Sequence, residues 1–197
     1  RWLLRDSRTP SFRLPEYEQQ MLAFPPFLEV MEWLEREQFS EIIISTPGPL
    51  GMNALAAARL LRIPATGIYH TDFPQYVRHF TDNSLLEEMT WGFMRWFYNQ
   101  MNTIYVPSRA YLNMLADQGF EAEKLKVMPR GIDLNRFHHE QGDADFLSRF
   151  GAGDKFTFVY VGRVSREKNV EALLETFVEF RKRDHDAQLV IVGDGPQ

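Results

Sequence analysis

The 197-residue chain has no cysteine. That excludes a disulfide framework, a thiolate metal site and a cysteine nucleophile, and it suits a reducing cytoplasm. No apolar run approaches the ~20 residues of a bilayer span, and the opening Arg1-Trp2-Leu3-Leu4-Arg5 lacks the apolar stretch of a signal peptide. Positive charge is not in excess either. A net charge of -5 argues against a general nucleic-acid binder, because phosphate-backbone affinity needs a clustered positive field, so any anion site must be local. Internal repeats and low-complexity tracts are absent, and neither βα turn carries Gly-x-Gly-x-x-Gly, which disfavours a plain dinucleotide-binding dehydrogenase. There is no initiator Met. Together with an end at Gln197, just past an apolar run, this leads us to expect a piece of a longer protein, a processed or naturally short chain being the alternative.

What is present is ordinary for a globular protein: 44% hydrophobic, 14% aromatic and 25% charged residues, with 16 Phe and 4 Trp to supply apolar area. The pattern alternates α and β. Glu41-Ile42-Ile43-Ile44-Ser45-Thr46 reads as a strand ending at Pro47-Gly48-Pro49-Leu50-Gly51, with helices at 27–38 and 52–62 and strands at 65–70, 103–107 and 125–128. The strands at 41–46 and 65–70 are continuously apolar rather than alternating, which fits a parallel sheet covered on both faces.

Ser84-Leu85-Leu86-Glu87 has the form of a capping box and predicts a helix from Ser84 to about Met101. Leu85, Met89, Phe93, Trp96 and Phe97 share one side, while Trp91, Met94 and Tyr98 lie elsewhere, so the helix is apolar nearly all round and reads as buried. Membrane-surface contact is the alternative, but Arg95 is its one basic residue and interfacial helices carry several. Ser108 should cap the next helix and Gly119 should end it.

Three stretches follow from this pattern: the later part of a Rossmann-like domain at 1–130, an interdomain connector at 131–153 with a brief helix near 146–150, and a second unit at 154–197. The second unit reads β-α-β. Its helix carries Val170, Leu173, Leu174, Phe177 and Val178 at i, i+3, i+4, i+7 and i+8, a single buried stripe, with Asn169 as the expected N-cap. A unit this short lies near the ~40-residue floor for an independent core and should lean on the first domain or on further chain.

The chemistry concentrates where that unit's first strand ends. Phe156-Thr157-Phe158-Val159-Tyr160-Val161 empties into a loop holding Arg163 and Lys168, and Leu189-Val190-Ile191-Val192 ends in Gly193-Asp194-Gly195-Pro196. Ligands of open parallel sheets collect beyond the carboxyl ends of the strands, so two cations there predict an anionic guest.

The string Val161-Gly162-Arg163-Val164-Ser165-Arg166-Glu167-Lys168-Asn169, with Val192-Gly193-Asp194-Gly195-Pro196 downstream, resembles the first βαβ of the C-terminal domain of family-four (group 1) glycosyltransferases. Ser45-Thr46-Pro47-Gly48-Pro49-Leu50-Gly51, Tyr69-His70-Thr71-Asp72-Phe73, and Val106-Pro107-Ser108 with Pro129-Arg130-Gly131-Ile132-Asp133 resemble that family in the same order, so the likeness runs over 41–197. The resemblance implies an α/β protein of GT-B type, two facing Rossmann-like domains with parallel sheets, both incomplete in this chain. It implies retaining hexosyl transfer from a nucleoside diphosphate sugar to a hydroxyl of a lipid or saccharide acceptor, in glycolipid or polysaccharide biosynthesis. Arg163 and Lys168 would hold the donor diphosphate without a metal or other cofactor, and His70 would lie beside the transferred sugar. Location would be cytoplasmic, at the inner face of the membrane where peripheral contact is made.

Other residues carry weaker expectations. Gly48, Gly51, Gly162, Gly193 and Gly195 are candidates to line the cleft, although turn geometry alone would explain Gly48 and Gly51 equally well. Asp72 has the chemistry of a nucleophile, but the resemblance does not support that role and a capping or turn role is favoured. His138 and His139 adjoin, yet neighbours on an extended segment point apart, so they read as solvated linker rather than metal ligands. The family's N-terminal Gly-rich loop and its later pair of acidic residues are not in this sequence, so the chain alone is expected to be inactive. A sugar-nucleotide epimerase or hydrolase, and a non-catalytic nucleotide-binding module, are the rival readings.

Overall fold

The structure, a computed structural model, describes residues 10–14, 17–128, 131–138, 145–152, 155–183 and 186–197. Arg1 to Arg5, Pro129, Arg130 and His139, all named above, lie outside the described residues, as does the first residue of the 154–197 unit. The chain divides into two compact units, Arg1–Arg130 and Gly131–Gln197.

The first unit opens with an antiparallel hairpin of β1 (Ser11–Leu14) and β2 (Tyr17–Ala23), which the sequence pattern does not signal. Helix α1 (Phe27–Glu37) packs Val30 and Leu34 against Ala57 of α2 (Pro49–Leu61). Four strands, β3 (Ile42–Ile44), β4 (Ala65–Ile68), β5 (Thr103–Val106) and β6 (Leu125–Val127), lie side by side in that order, all parallel. Parallel neighbours need a crossover, and helices supply each one: α2, then α3 (Phe73–Thr81) and α4 (Ser84–Asn99), then α5 (Arg109–Asp117). The buried core joins Ile44, Tyr69, Met94, Phe97, Ile104 and Leu115. The expected strands and helices of this unit are present with ends shifted by a few residues, whereas α3 was not anticipated. Gly67 in β4 has a packing role, because a Cβ there would lie 2.9 Å from Cδ1 of Tyr98 and press on Met101.

Three local expectations are corrected. The N-cap of α4 is Asn83, one residue before the expected Ser84. Asn83 holds an extended backbone and its Oδ1 accepts from the N–H groups of Leu85 at 2.9 Å and Leu86 at 3.2 Å, while Glu87 faces Arg78 instead of closing a capping box. The helix stops at Asn99, before Met101, where the Asn99 amide binds the Gly119 carbonyl and the Glu121 N–H. Burial of α4 is one-sided: Trp91, Met94, Phe97 and Tyr98 face the core, but Leu85 is 67% exposed, Met89 63%, Trp96 50% and Phe93 40%. A single layer of helix on a sheet can cover only the stripe that faces it. Arg95 points into the unit, donating to the Gln118 carbonyl at 3.2 Å and pairing with Glu88.

Ser108 caps α5 as expected, accepting from the Tyr111 N–H at 3.4 Å. Gly119, at φ 84°, ends it with the paired Phe120-to-Leu115 and Gly119-to-Ala116 backbone bonds of a Schellman motif.

In the second unit β7 (Phe156–Val161) and β8 (Ala187–Val192) pair in parallel, connected through α6 (Val170–Lys182). A 3-10 turn at Leu147–Phe150 stands where the brief helix was expected. The expected single buried stripe of α6 is only partly realised: Val170 is buried, Leu173 and Phe177 are half-buried, and Leu174 and Val178 are exposed, since two strands are narrower than the stripe. Asn169 precedes α6 but is left-handed at φ 53° and its side chain caps nothing, because the residue also terminates the 3-10 turn Arg166–Lys168.

Candidate functional site

Because β3 to β6 run parallel, the loops leaving their carboxyl ends share one edge of the first unit, and that edge carries Gly48, His70 and Ser108. His70 stands two residues past β4 and is exposed. Its Nδ1 lies 3.3 Å from the Ile68 carbonyl oxygen. A carbonyl only accepts, so Nδ1 is the donor in this contact, and Nε2 is the ring nitrogen left to face a ligand. The same carbonyl accepts from the Tyr98 hydroxyl at 3.2 Å.

Next to His70, the wholly buried Tyr69 donates its hydroxyl to Oδ1 of Asp72 at 3.2 Å. Burial, reinforced by the Asp72 charge, pushes the Tyr69 phenol far above its ordinary range, and burial does the same to Tyr98. Asp72 occupies the N-cap position of α3, and its backbone carbonyl accepts from Tyr76 at 3.1 Å, but its carboxylate turns to Tyr69 and caps no helix N–H.

Gly48 is the N-cap residue of α2, with open space where a Cβ would stand. Gly51 is different. A Cβ there would overlap the Thr46 carbonyl, so its glycine lets the first turn of α2 settle on the loop leaving β3.

In the second unit Arg163 and Lys168 are exposed, one just past β7 and one at the end of the 3-10 turn that leads into α6. Both therefore stand ahead of a 13-residue helix whose first N–H groups favour an anion. Beyond the last paired residues of the sheet the two exit loops stay in register: Gly162 N–H donates to Val192 at 3.0 Å, Val164 N–H to Asp194 at 3.1 Å, and Gln197 N–H to Val164 at 3.3 Å. Gly193 and Gly195 make this possible, since a Cβ on either would overlap the carbonyl oxygen of Gly162 or Val164. Their glycine identity is thus accounted for by loop-on-loop packing. A feature that sequence reading missed is Tyr160, whose hydroxyl donates to the Arg163 carbonyl at 2.8 Å. The signal available was a lone hydroxyl-bearing aromatic two residues before Gly162. Ser165, between the two cations, is buried, and its Oγ has no hydrogen-bond partner among the described residues.

The sequence model for Glycosyltransferase Family 4 matches residues 4–136. The chain belongs to the family 4 glycosyltransferases. The model for Glycosyl transferases group 1 matches residues 145–197, downstream of the first match.

The chain is 29% identical over 195 residues to the alpha-monoglucosyldiacylglycerol synthase of Streptococcus pneumoniae, covering 96% of the chain and 44% of that protein. It is 31% identical over 192 residues to the GDP-mannose-dependent alpha-mannosyltransferase of Corynebacterium glutamicum, again covering 96% of the chain and 44% of that protein. It is also 27% identical over 189 residues to the Arabidopsis thaliana sulfoquinovosyl transferase SQD2, covering 94% of the chain and 36% of that protein. The chain thus spans less than half the length of these curated relatives.

Among solved structures, Anabaena HepE in complex with UDP-glucose matches with a TM-score of 0.63 at 17% identity, covering 86% of this chain and 43% of that one. UDP-N-acetylglucosamine 2-epimerase from Rickettsia bellii matches with a TM-score of 0.52 at 17% identity, covering 85% and 42%. At these identities the likeness shows the fold alone: the α/β, parallel-sheet GT-B class expected from the motifs.

Proposed function

We propose that the protein carrying this chain transfers a hexosyl group from a nucleoside diphosphate sugar to a hydroxyl of a lipid or saccharide acceptor, with retention of anomeric configuration. The observation that carries this reading is the pair Arg163 and Lys168 in the loops ahead of α6, within a family-matched segment. Breaking the bond between the anomeric carbon and the β-phosphate oxygen places negative charge on the departing phosphate. Cations fixed at that point bind the charge as it develops and lower the barrier. No metal is required in this scheme. The acceptor oxygen bonds to the anomeric carbon on the face the phosphate leaves, and the phosphate takes up the acceptor proton.

His70 hydrogen-bonds through Nε2 beside the transferred sugar, orienting donor and acceptor rather than forming a covalent intermediate. Asp72 takes no nucleophilic part in this scheme; its Oδ1 accepts from the Tyr69 hydroxyl. We place the reaction at the cytoplasmic face of a membrane, with peripheral contact; among the described residues no helix is long and apolar enough to cross one.

The test is calorimetric titration of the full-length protein with UDP-, GDP- and ADP-hexoses, with and without EDTA. A charge-assisted hydrogen bond contributes ~1.5–3 kcal/mol, so Arg163→Ala and Lys168→Ala should each weaken donor binding about ten- to a hundredfold with EDTA making no difference. Wild-type affinity in both variants would refute the assignment. Product analysis separates transfer, which needs an acceptor, from the epimerase chemistry of the Rickettsia bellii structure's name.

A further inference from the structure

Arg163 is exposed, and its long side chain can adopt many rotamers. A cation that stabilises charge only as it develops must instead be aimed beforehand, which requires its backbone to be held. Around Arg163 the backbone is held from two directions. On one side the exit loop of β8 grips the flanking residues, Val192 taking the Gly162 N–H at 3.0 Å and Asp194 the Val164 N–H at 3.1 Å. On the other side Tyr160 folds forward from β7 and donates its hydroxyl to the Arg163 carbonyl at 2.8 Å.

Gly162 shows that this fold-over is built in. A Cβ at that position would lie 2.9 Å from the Tyr160 hydroxyl oxygen, 3.1 Å from Cζ and 3.5 Å from Cε1. The phenol occupies the volume that any other residue at 162 would need. Glycine there and tyrosine at 160 are one device: the missing side chain makes room, and the hydroxyl that enters reaches the carbonyl of the next residue.

We propose that Tyr160 is a positioning residue for Arg163, holding the Arg163 peptide so that the guanidinium stays directed at the donor's diphosphate; this rests on the reading of Arg163 as a diphosphate contact. Phenylalanine would keep the ring over Gly162 but leave the Arg163 carbonyl to water, so Tyr160→Phe removes the hydroxyl's effect with little change in packing. One neutral hydrogen bond corresponds to about a two- to tenfold effect on an equilibrium.

The experiment is a double-mutant cycle in the full-length protein with Tyr160→Phe, Arg163→Ala and the pair, titrated with UDP, GDP, uridine and guanosine. Tyr160→Phe should weaken binding of the preferred diphosphate about two- to tenfold, leave the parent nucleoside unchanged, and have no further effect on top of Arg163→Ala. Gly162→Ala, which displaces the phenol, should weaken diphosphate binding to a similar degree. An equal loss for nucleoside and diphosphate, an undiminished loss in the Arg163→Ala background, or no loss from Tyr160→Phe while Arg163→Ala weakens binding would each overturn the positioning role. If Arg163→Ala itself leaves diphosphate binding intact, the donor reading of Arg163 fails, and this role fails with it.

Discussion

Tyr69 and Tyr98 are 0% and 1% exposed and sit in one core, the first donating to Asp72 and the second to the Ile68 carbonyl. Both phenols are raised well above the ordinary value of 10.0, burial being the main cause in each. A raised folded value stabilises the fold fully below the unfolded value and loses that contribution as pH climbs past it. In the unfolded chain each phenol ionises near pH 10, whereas in the fold it stays neutral, so unfolding above pH 10 releases two protons. At pH 11 each released proton lowers the stability of the first unit by about 1.4 kcal/mol, or about 2.8 kcal/mol for the pair. Urea unfolding between pH 8 and pH 11, followed by tryptophan fluorescence, reads this directly, because all four tryptophans lie in the first unit. Tyr98→Phe should remove about half of the alkaline loss. Comparison with the variant cancels lysines that titrate over the same range. The reasoning is refuted if phenolate absorbance shows all seven tyrosines of the native protein ionising near pH 10, or if the alkaline slope is the same with Phe at 69 and at 98.

Two further outcomes follow from local geometry. Asn83→Ala should lower the thermal stability of the first unit by about 1 kcal/mol through loss of the α4 cap, while Ser84→Ala should change it by less than about 0.5 kcal/mol; the reverse order would restore the capping-box reading. His70→Ala in the full-length protein should reduce kcat about tenfold at saturating donor without weakening nucleoside binding, and an unchanged kcat would remove His70 from the transfer step.

Much of the architecture was legible because it depends on short-range chemistry. The Ile42–Ile44 and Leu125–Val127 runs, Ser108 as a cap and Gly119 as a stop each act within a few residues, so pattern alone locates them. The α4 cap was misread by one residue for the same reason that it was nearly right: Asn83 and Ser84 are both good caps, and backbone conformation chooses between them. Helix α3 was missed because Pro74 and the polar residues of Phe73–Thr81 weaken its signal.

By itself the sequence determined the alternation of strands and helices, the family, and the positions of Arg163 and His70 just past strands and of Lys168 ahead of α6, since apolar runs, turn residues and motif spacing are properties of neighbours along the chain. Only the tertiary structure decided which face of α4 is buried, that Gly51, Gly193 and Gly195 clear space for a backbone carbonyl, and that Tyr160 reaches Arg163. Those outcomes depend on what a side chain meets in space, and in a parallel sheet the neighbour across a strand pair lies some thirty residues away along the chain, as Phe156 and Ala187 do.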